Sequence, residues 1–542
     1  MWIRWGALCT LLIACATEEE PDRPADPAES GSLGPDTAED PDALAVQITP
    51  PTPRAGMDSL YCAAPDDAAL SWWHQGSLTS HVGPELHPHD VAPGTWRCDA
   101  TFEGKTGSSE VVAAPIGGNL LVVLLDDIGL DKVGVYGMHP KPAPTPVLDR
   151  LASDGVRFTN AYAMPICSPT RAALLSGQLP RRTGVGHLVE PGQPTRWLVD
   201  TDTIPDLLAR SPLGPYTSAV TGKWHLARLA DTHHPADLGF SVYAGAMANP
   251  NMAANPGQTQ GYSYWEKNTQ GELAFTDVYM TTDTTNDAIA QIASLPEPWF
   301  LYVPYNSAHE PWHRPPQELH TRTDLQRDVD RMDAMIEAVD TELGRLLSAM
   351  TDEQRARTTI VVLGDNGTQP DVMRSPSDRS RGKGTLYEGG VRVPMIVASP
   401  HVHSPGSVSD AMVHVVDVLP TAAALAGVGL DDAEPRDGIS LLPLLAEPDA
   451  IWPRSFLYAE KFLPNGFGPP DHLWATVRDG THKLVLDRTG EVSFHALIPG
   501  QVDEGPDLLG TALDDSEQEA YDRLSAEMAS IQAALTQGDP IR

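Results

Sequence analysis

Residues 119–127 read Asn119-Leu-Leu-Val-Val-Leu-Leu-Asp126-Asp127. An unbroken apolar run without polar alternation is what a central parallel strand presents when both of its faces are covered, and here a pair of carboxylates ends it. A second run, Thr359-Ile-Val-Val-Leu363, ends in Gly364-Asp365-Asn366-Gly367, and a third, Trp299-Phe-Leu-Tyr-Val303, leads into Asn306-Ser-Ala-His309. Between the last two, Asp324 to Met350 carries Val329, Met332, Ile336, Val339, Leu343, Leu346 and Leu347 at helical spacing, the pattern of a core-facing helix. From Ile116 onward the alternation predicts an α/β domain with a mixed, mostly parallel sheet flanked by helices. Open sheets of this kind place ligands beyond the carboxyl ends of their strands, where these carboxylates and His309 fall.

Asp126, Asp127, Asp365 and Asn366 offer hard oxygen donors, suited to Ca²⁺ or Mg²⁺ rather than zinc. Either pair alone is more simply a turn or a helix cap; their occurrence at two strand ends favours a cation site. The stretch Ala163-Met-Pro-Ile-Cys-Ser-Pro-Thr-Arg-Ala-Ala-Leu-Leu-Ser-Gly-Gln178 sets one cysteine at a helix entrance, with Pro169 in the first turn and Gly177 at the end. Free backbone N–H groups and the positive dipole end would favour an anion beside Cys167. A thiolate nucleophile would want a histidine base nearby, and an inert buried cysteine is the plain alternative.

With 542 residues and 41% apolar content, the chain can bury one large core and a smaller module. The formal charge of -36 excludes a nucleic-acid-binding role, because no basic patch could neutralise several phosphates, and an anionic substrate would have to be captured by local cations. Met1 to Arg4 is a short basic start, Trp5 to Ile13 an apolar run too short to span a bilayer, and Leu12-Ile-Ala-Cys15 a small-residue site. Residues 1–14 therefore read as an export signal. The site resembles a bacterial lipobox, which implies lipid on Cys15 and an exported protein anchored in a membrane of the cell envelope; an ordinary cleaved signal is the alternative. Residues 15–43 follow as a tether: Ala16 to Ala43 holds ten Asp or Glu and five Pro, too little apolar surface to offset the entropy of ordering. No later run of about 18 apolar residues occurs, so the remainder is expected to be soluble outside the cytoplasm.

Residues 44–115 alternate short polar and apolar runs with turn residues, and Trp72 and Trp73 follow Cys62 while Trp96 precedes Cys98. The segment resembles an immunoglobulin-like sandwich, which implies a Cys62–Cys98 bond between sheets packed on a tryptophan, with Trp96 where a corner tyrosine usually stands. An irregular disulfide-bonded spacer is the alternative. That pairing would leave Cys167 alone.

Cys167-Ser-Pro-Thr-Arg171 matches the C-x-P-x-R element of the sulfatase family. Asp126-Asp127, Thr221-Gly-Lys-Trp-His225, His309-Glu-Pro311, Asp365-Asn366-Gly367 and Lys383-Gly-Thr-Leu-Tyr-Glu-Gly-Gly-Val-Arg-Val-Pro394 resemble further family motifs and occur in the family's order. Gln178 departs from the pattern, standing where a basic residue is frequent. The resemblance covers roughly residues 116–540 and implies an alkaline phosphatase-like catalytic domain over 116–450 with a smaller α+β subdomain over 451–542. It implies that a formylglycine-generating enzyme converts Cys167 to formylglycine, which accounts for a thiol without a partner. It also implies that Asp126, Asp127, Asp365, Asn366 and the modified Cys167 hold a divalent cation, Ca²⁺ before Mg²⁺. Arg171 would orient the aldehyde hydrate, Lys223 would bridge it to sulfate, His225 would take its proton, and His309 and Lys383 would bind the ester and protonate the leaving oxygen. The expected activity is hydrolysis of a sulfated small molecule or glycan. Phosphoric or phosphonic ester hydrolysis on the same fold, and an inactive sulfatase-like surface binding protein, are the alternatives.

Overall fold

The computed structural model describes residues 46–537 except 50–53, 55–59, 65–67, 75–76, 80, 82–83, 87–93, 103–104, 114–115, 191–196, 251–260, 375 and 431–433. The expected export signal, the expected lipid site at Cys15 and the expected tether lie outside the described residues. Among the described residues no helix is long and apolar enough to cross a membrane.

Among the described residues seven strands come first: β1 (Gln47–Thr49), β2 (Leu60–Ala63), β3 (Ala69–His74), β4 (Ser77–Leu78), β5 (Glu85–Leu86), β6 (Gly94–Phe102) and β7 (Lys105–Ala113). They form two antiparallel sheets, β1-β2-β5 and β4-β3-β6-β7. Cys62 on β2 is bonded to Cys98 on β6, so the disulfide joins the sheets. Trp72 pairs with Cys98 in the ladder and meets the Trp96 ring edge-on at 6.5 Å. With Ile48, Leu60, Leu86 and Val111 these residues form a core of their own. So few apolar side chains hold a fold weakly, and the covalent link makes up the difference.

The large sheet is built from β8 (Asn119–Leu125), β9 (Val156–Tyr162), β10 (Thr217–Thr221), β11 (Val242–Gly245), β12 (Trp265–Thr269), β13 (Glu272–Thr276), β14 (Trp299–Pro304), β15 (Thr358–Gly364), β16 (Met395–Ala398) and β17 (Ser407–His414). Their order is β13-β12-β11-β10-β14-β8-β15-β16-β9-β17, with β11, β10, β14, β8 and β15 parallel in the centre, β12 and β13 antiparallel on one side, and β16 antiparallel to both β15 and β9 on the other, where β17 runs parallel to β9. The opening stretch of the sequence is thus the central strand. Leu120, Val122 and Leu124 face one core, shared with the helices Cys167–Ser176 and Val418–Ala426, while Leu121, Val123 and Leu125 face the other, shared with Met280–Ser294 and Asp328–Ser348. Burial on both faces is why the run shows no alternation, and each such side chain contributes roughly 1.5–3 kcal/mol.

The helix expected from Asp324 starts at Asp328. Residues 324–327 are held as a loop instead, with the Leu325 carbonyl accepting from Arg331 Nε at 3.0 Å and Arg327 Nε donating to Asp330 at 2.7 Å. After the large sheet, β18 (Leu457–Leu463), β19 (His472–Arg478), β20 (His482–Leu486) and β21 (Val492–Ala496) make an antiparallel sheet. The helix Asp515–Gln537 packs on β19 and β20 through Leu524, Met528 and Ile531, which join the core on the Cys167 side of the large sheet.

Candidate active site

β8 and β15 run parallel with Leu125 level with Gly364, so Asp126 and Asp365 leave the sheet side by side. The Asp365 N–H donates to Leu125 O at 3.0 Å and the Asp127 N–H to Asp365 Oδ1 at 3.1 Å, closing the two strand ends on each other. Asn366 Nδ2 donates to Asp127 Oδ1 at 2.8 Å. Asp127 and His225 have φ of 62° and 58°, a left-handed backbone that costs a non-glycine residue on the order of 1–3 kcal/mol and persists where surroundings dictate it.

The helix Cys167–Ser176 enters between these ends, with all ten of its residues buried. Ile166 caps it without a side-chain bond, which leaves first-turn N–H groups at the Cys167 end. Thr170 Oγ1 donates to Asp365 O at 2.6 Å and accepts from the Met164 N–H at 3.0 Å, pinning the helix to the end of β15. Ser168 Oγ donates to His225 O at 2.8 Å and accepts from Val189 N at 3.1 Å. Arg171, fully buried, donates through NH1 to Lys223 O at 2.8 Å and through NH2 to Asp365 Oδ2 at 3.1 Å.

Cys167 Sγ therefore lies 3.5 Å from Asp126 Oδ1 and 3.6 Å from both Lys223 Nζ and Lys383 Nζ. Lys223 follows Gly222, whose φ of 122° and approach to Pro304 O leave no room for a Cβ, and its ammonium is bonded to Asp126 Oδ2. Lys383 Nζ sits 2.5 Å from Asp127 Oδ1. His309 gives its Nδ1 to Glu310 O at 2.7 Å, so a neutral ring turns Nε2 inward, 4.0 Å from Asp127 Oδ2. All ten residues singled out in the sequence, Asp126, Asp127, Cys167, Arg171, Lys223, His225, His309, Asp365, Asn366 and Lys383, meet at this one place.

The cluster sets its own charges. Burial pushes the Cys167 thiol above its ordinary range, and the neighbouring Asp365 adds to this, so Cys167 is not poised as a thiolate. Burial would raise Asp126, but Lys223, His309, Arg171 and Lys383 together hold it below the usual carboxylate range. Asp365 is pushed up to about 7 by burial and by Asp126 beside it. Burial and the adjacent Lys383 bring His309 down to about 4, and burial with Lys223 and Arg171 holds His225 well below the ordinary histidine value, so both rings are neutral near pH 7. Burial alone would lower Lys383, yet Asp127 keeps it above its ordinary value and charged.

Ligand atoms of Asp126, Asp127, Cys167 and Asp365 lie within 4.8 Å of one another, and Asp127, Cys167 and His309 form an overlapping group. Among the described residues, Asp127 Oδ2 and Asn366 Oδ1 are buried without a hydrogen-bond partner. Two orphaned oxygens, each costing about 1–3 kcal/mol, among crowded carboxylates fit a hard divalent cation.

Sequence reasoning did not find Ser168 and Thr170, which fill the unspecified positions of the cysteine motif and whose tertiary bonds leave no local pattern. Nor did it find the fixture of the Lys383 segment: buried Glu388 is bonded to Tyr162 and pairs with Lys483 at 2.9 Å and Arg478 at 3.0 Å, both on the C-terminal sheet.

A family model, Sulfatase, matches residues 118–428. Arylsulfatase J from Mus musculus is 30% identical over 341 residues, covering 61% of this chain and 56% of that protein. N-acetylgalactosamine-6-sulfatase from Homo sapiens is 32% identical over 362 residues, covering 62% and 67%. The chain thus spans little more than half the length of the first of these relatives. The solved structure of Ps i-CgsB in complex with k-i-k-neocarrahexaose shares the fold, with a TM-score of 0.65 and 24% identity over 79% of this chain and 95% of that one.

Proposed function

The chain belongs to the sulfatase family, and on that premise we propose that it hydrolyses sulfate esters, with Cys167 converted to formylglycine by a maturation enzyme. Asp126, Asp127, Asp365 and Asn366, with residue 167 beside them, would hold a divalent cation, Ca²⁺ first and Mg²⁺ as the alternative. The observation that carries the reading is the setting of Cys167 Sγ, 3.5 Å from a metal-competent carboxylate and 3.6 Å from each of two ammonium groups, beside orphaned oxygens of Asp127 and Asn366. When bound, the cation neutralises the carboxylates and acidifies a hydroxyl next to it. The hydrated aldehyde would supply that hydroxyl as the nucleophile toward sulfur, whose bond to the ester oxygen breaks as the new one forms.

The rest falls to the chain's own side chains. Lys223 and Lys383 bracket the position of Sγ, so sulfate oxygens entering there meet two positive charges already in place. Arg171 offsets Asp126 and Asp365 and fixes the backbone carbonyl of Lys223. His225, neutral and with Nδ1 unpaired among the described residues, is suited to take the proton of the hydrate's second hydroxyl, so that the aldehyde re-forms and the C–O bond to sulfate breaks. His309 presents Nε2 to the ester. Because His309 is held neutral while Lys383 stays charged, Lys383 supplies the proton to the leaving oxygen.

Substrate class follows from relatives named for aryl and N-acetylgalactosamine-6-sulfate chemistry: a sulfated small molecule or glycan. The leader, Cys15 and the acidic tether support an exported enzyme held to a membrane by lipid, and the separate small core supports treating residues 44–115 as an immunoglobulin-like module of its own. The test is release of sulfate against phosphate from paired nitrophenyl esters by the wild-type protein. Sulfate release at a much higher kcat/KM supports the reading; faster phosphate release makes the protein a phosphoester hydrolase on this fold.

A further inference from the structure

The hairpin of β18 and β19 brings to the rim of the site a lysine that no step above uses. Lys461 on β18 is half-buried, lies 4.7 Å over the Trp474 ring, and donates its ammonium to the carbonyl of Gly384, the residue after Lys383. Lys223 and Lys383 each have a carboxylate partner. Lys461 has none among the described residues, in a chain with 73 acidic residues against 37 basic ones. Burial lowers its pKa, as expected of a cation that has lost water without gaining an anion.

Its surroundings are tied to the reacting groups on two sides. On one, the Gly384 N–H donates to Pro165 O at 2.9 Å, two residues before Cys167. On the other, residues 184–189 run along the hairpin: Phe462 N donates to Gly186 O at 3.1 Å, and Asn465 Oδ1 accepts from Gly186 N at 2.9 Å and His187 N at 2.7 Å. Val189 N then binds Ser168 Oγ, next to Cys167. Between these anchors lies the half-buried His187, its N–H fixed by Asn465; burial lowers its ring pKa, the Lys461 charge lowers it further, and Glu190 works the other way. A cation and an imidazole held at the mouth of a sulfate site by a second structural unit are placed for the part of the substrate that leaves.

Resting on the sulfatase reading above, we propose that Lys461 and His187 form a subsite for a second anionic group, sulfate or carboxylate, on the alcohol portion of the substrate, so that the preferred substrate is a polyanionic saccharide. A purely structural lysine, propping the Lys383 segment through Gly384, would serve every sulfate ester equally. An anion subsite serves only substrates with the second charge.

The experiment compares nitrophenyl sulfate, N-acetylgalactosamine 6-sulfate, its 4,6-disulfate, and a disaccharide joining a 6-sulfated hexosamine to a uronic acid. In the wild type, a doubly anionic sugar should exceed the monosulfated one in kcat/KM by at least about tenfold. That ratio should fall to about one in Lys461→Gln and stay within about threefold of wild type in Lys461→Arg, since the ratio cancels any general loss from a disturbed loop. A gain confined to the disulfate assigns the subsite to sulfate, and one confined to the uronate assigns it to carboxylate. A wild-type ratio near one, or a ratio unchanged in Lys461→Gln, overturns the subsite. Absence of sulfate release from all four compounds overturns the underlying reading instead.

Discussion

Glu388→Gln tests how the C-terminal sheet holds the catalytic segment. Glu388 is 1% exposed and faces Lys483 at 2.9 Å and Arg478 at 3.0 Å, with Tyr162 bonded to the same carboxylate. Burial opposes its charge, but Lys483 and Arg478 win and hold its pKa down to about 2. Set against an ordinary 4.5, that is ~3 kcal/mol of folding stability, matching the low end of the roughly 3–5 kcal/mol lost when one member of a buried pair is removed. The low end is appropriate because Lys483 keeps Glu504 at 3.2 Å and the Tyr162 hydroxyl at 3.0 Å. Because the folded pKa is depressed, this contribution is present above about pH 4.5 and is lost as the pH falls toward about 2. Urea unfolding followed by tryptophan fluorescence at pH 7 should show Glu388→Gln destabilised by ~3 kcal/mol, and Glu388→Gln/Lys483→Met should recover part of it, since Lys483 no longer stands charged beside a neutral residue 388 and Glu504 keeps Arg381 at 3.3 Å. Turnover of nitrophenyl sulfate below the transition should fall less than about tenfold, because Lys383 N is also held by Thr368 O at 2.9 Å and Gly384 by Pro165. A loss under about 0.5 kcal/mol at pH 7, with no rescue in the double variant, would show that Glu388 does not hold the segment through its charge.

Cys167→Ala and Cys167→Ser should both fold, since the helix they open is buried and pinned by Thr170 and Arg171, and both should lose ester hydrolysis by at least about a thousandfold; activity within a few-fold of wild type removes residue 167 from the chemistry. Chelation should abolish turnover and also lower the unfolding midpoint, because Asp126, Asp127 and Asp365 then repel one another; an unchanged midpoint contradicts a shared cation. Reducing Cys62–Cys98 should unfold the small two-sheet module at a cost of roughly 2–5 kcal/mol and spare catalysis; equal loss of activity would make the module part of the site. His414, buried and accepting from Val416 N at 3.2 Å, is brought down to about 3 by burial and then by Arg454. Its folded form stays neutral while the unfolded form charges below about pH 6.5, so wild type should lose ~2 kcal/mol more than His414→Asn between pH 6.5 and 5; parallel stability curves contradict it.

Much of the site was legible because its residues hang on elements with strong local signals. β8 and β15 declare themselves as unalternating apolar runs, being covered on both faces, and the clustered carboxylates follow immediately in the chain. Pro169 and Gly177 bracket the helix that carries Cys167, and Gly177 is indeed left-handed at its end. What could not be read depends on partners far apart. Glu388 meets Lys483 across 95 residues, and Lys461 meets Gly384 across 77; neither carries a mark in its own neighbourhood. The insertion of antiparallel β16 between β15 and β9 is likewise a tertiary choice. Asp127 and His225 take left-handed backbones, which Asp and His visit more readily than most side chains but still only in a small minority of cases; here the strand ends and the Met247 carbonyl enforce the turn.

The central claim is that residue 167 works as an aldehyde within a sulfate-binding site. Mass spectrometry of the peptide containing Cys167, from protein purified out of a host that exports and matures it, measures this directly when paired with sulfate release from the same sample. Formylglycine is expected at residue 167, with activity in proportion to the fraction converted. A free thiol at residue 167 in a preparation that hydrolyses sulfate esters at full rate would contradict it.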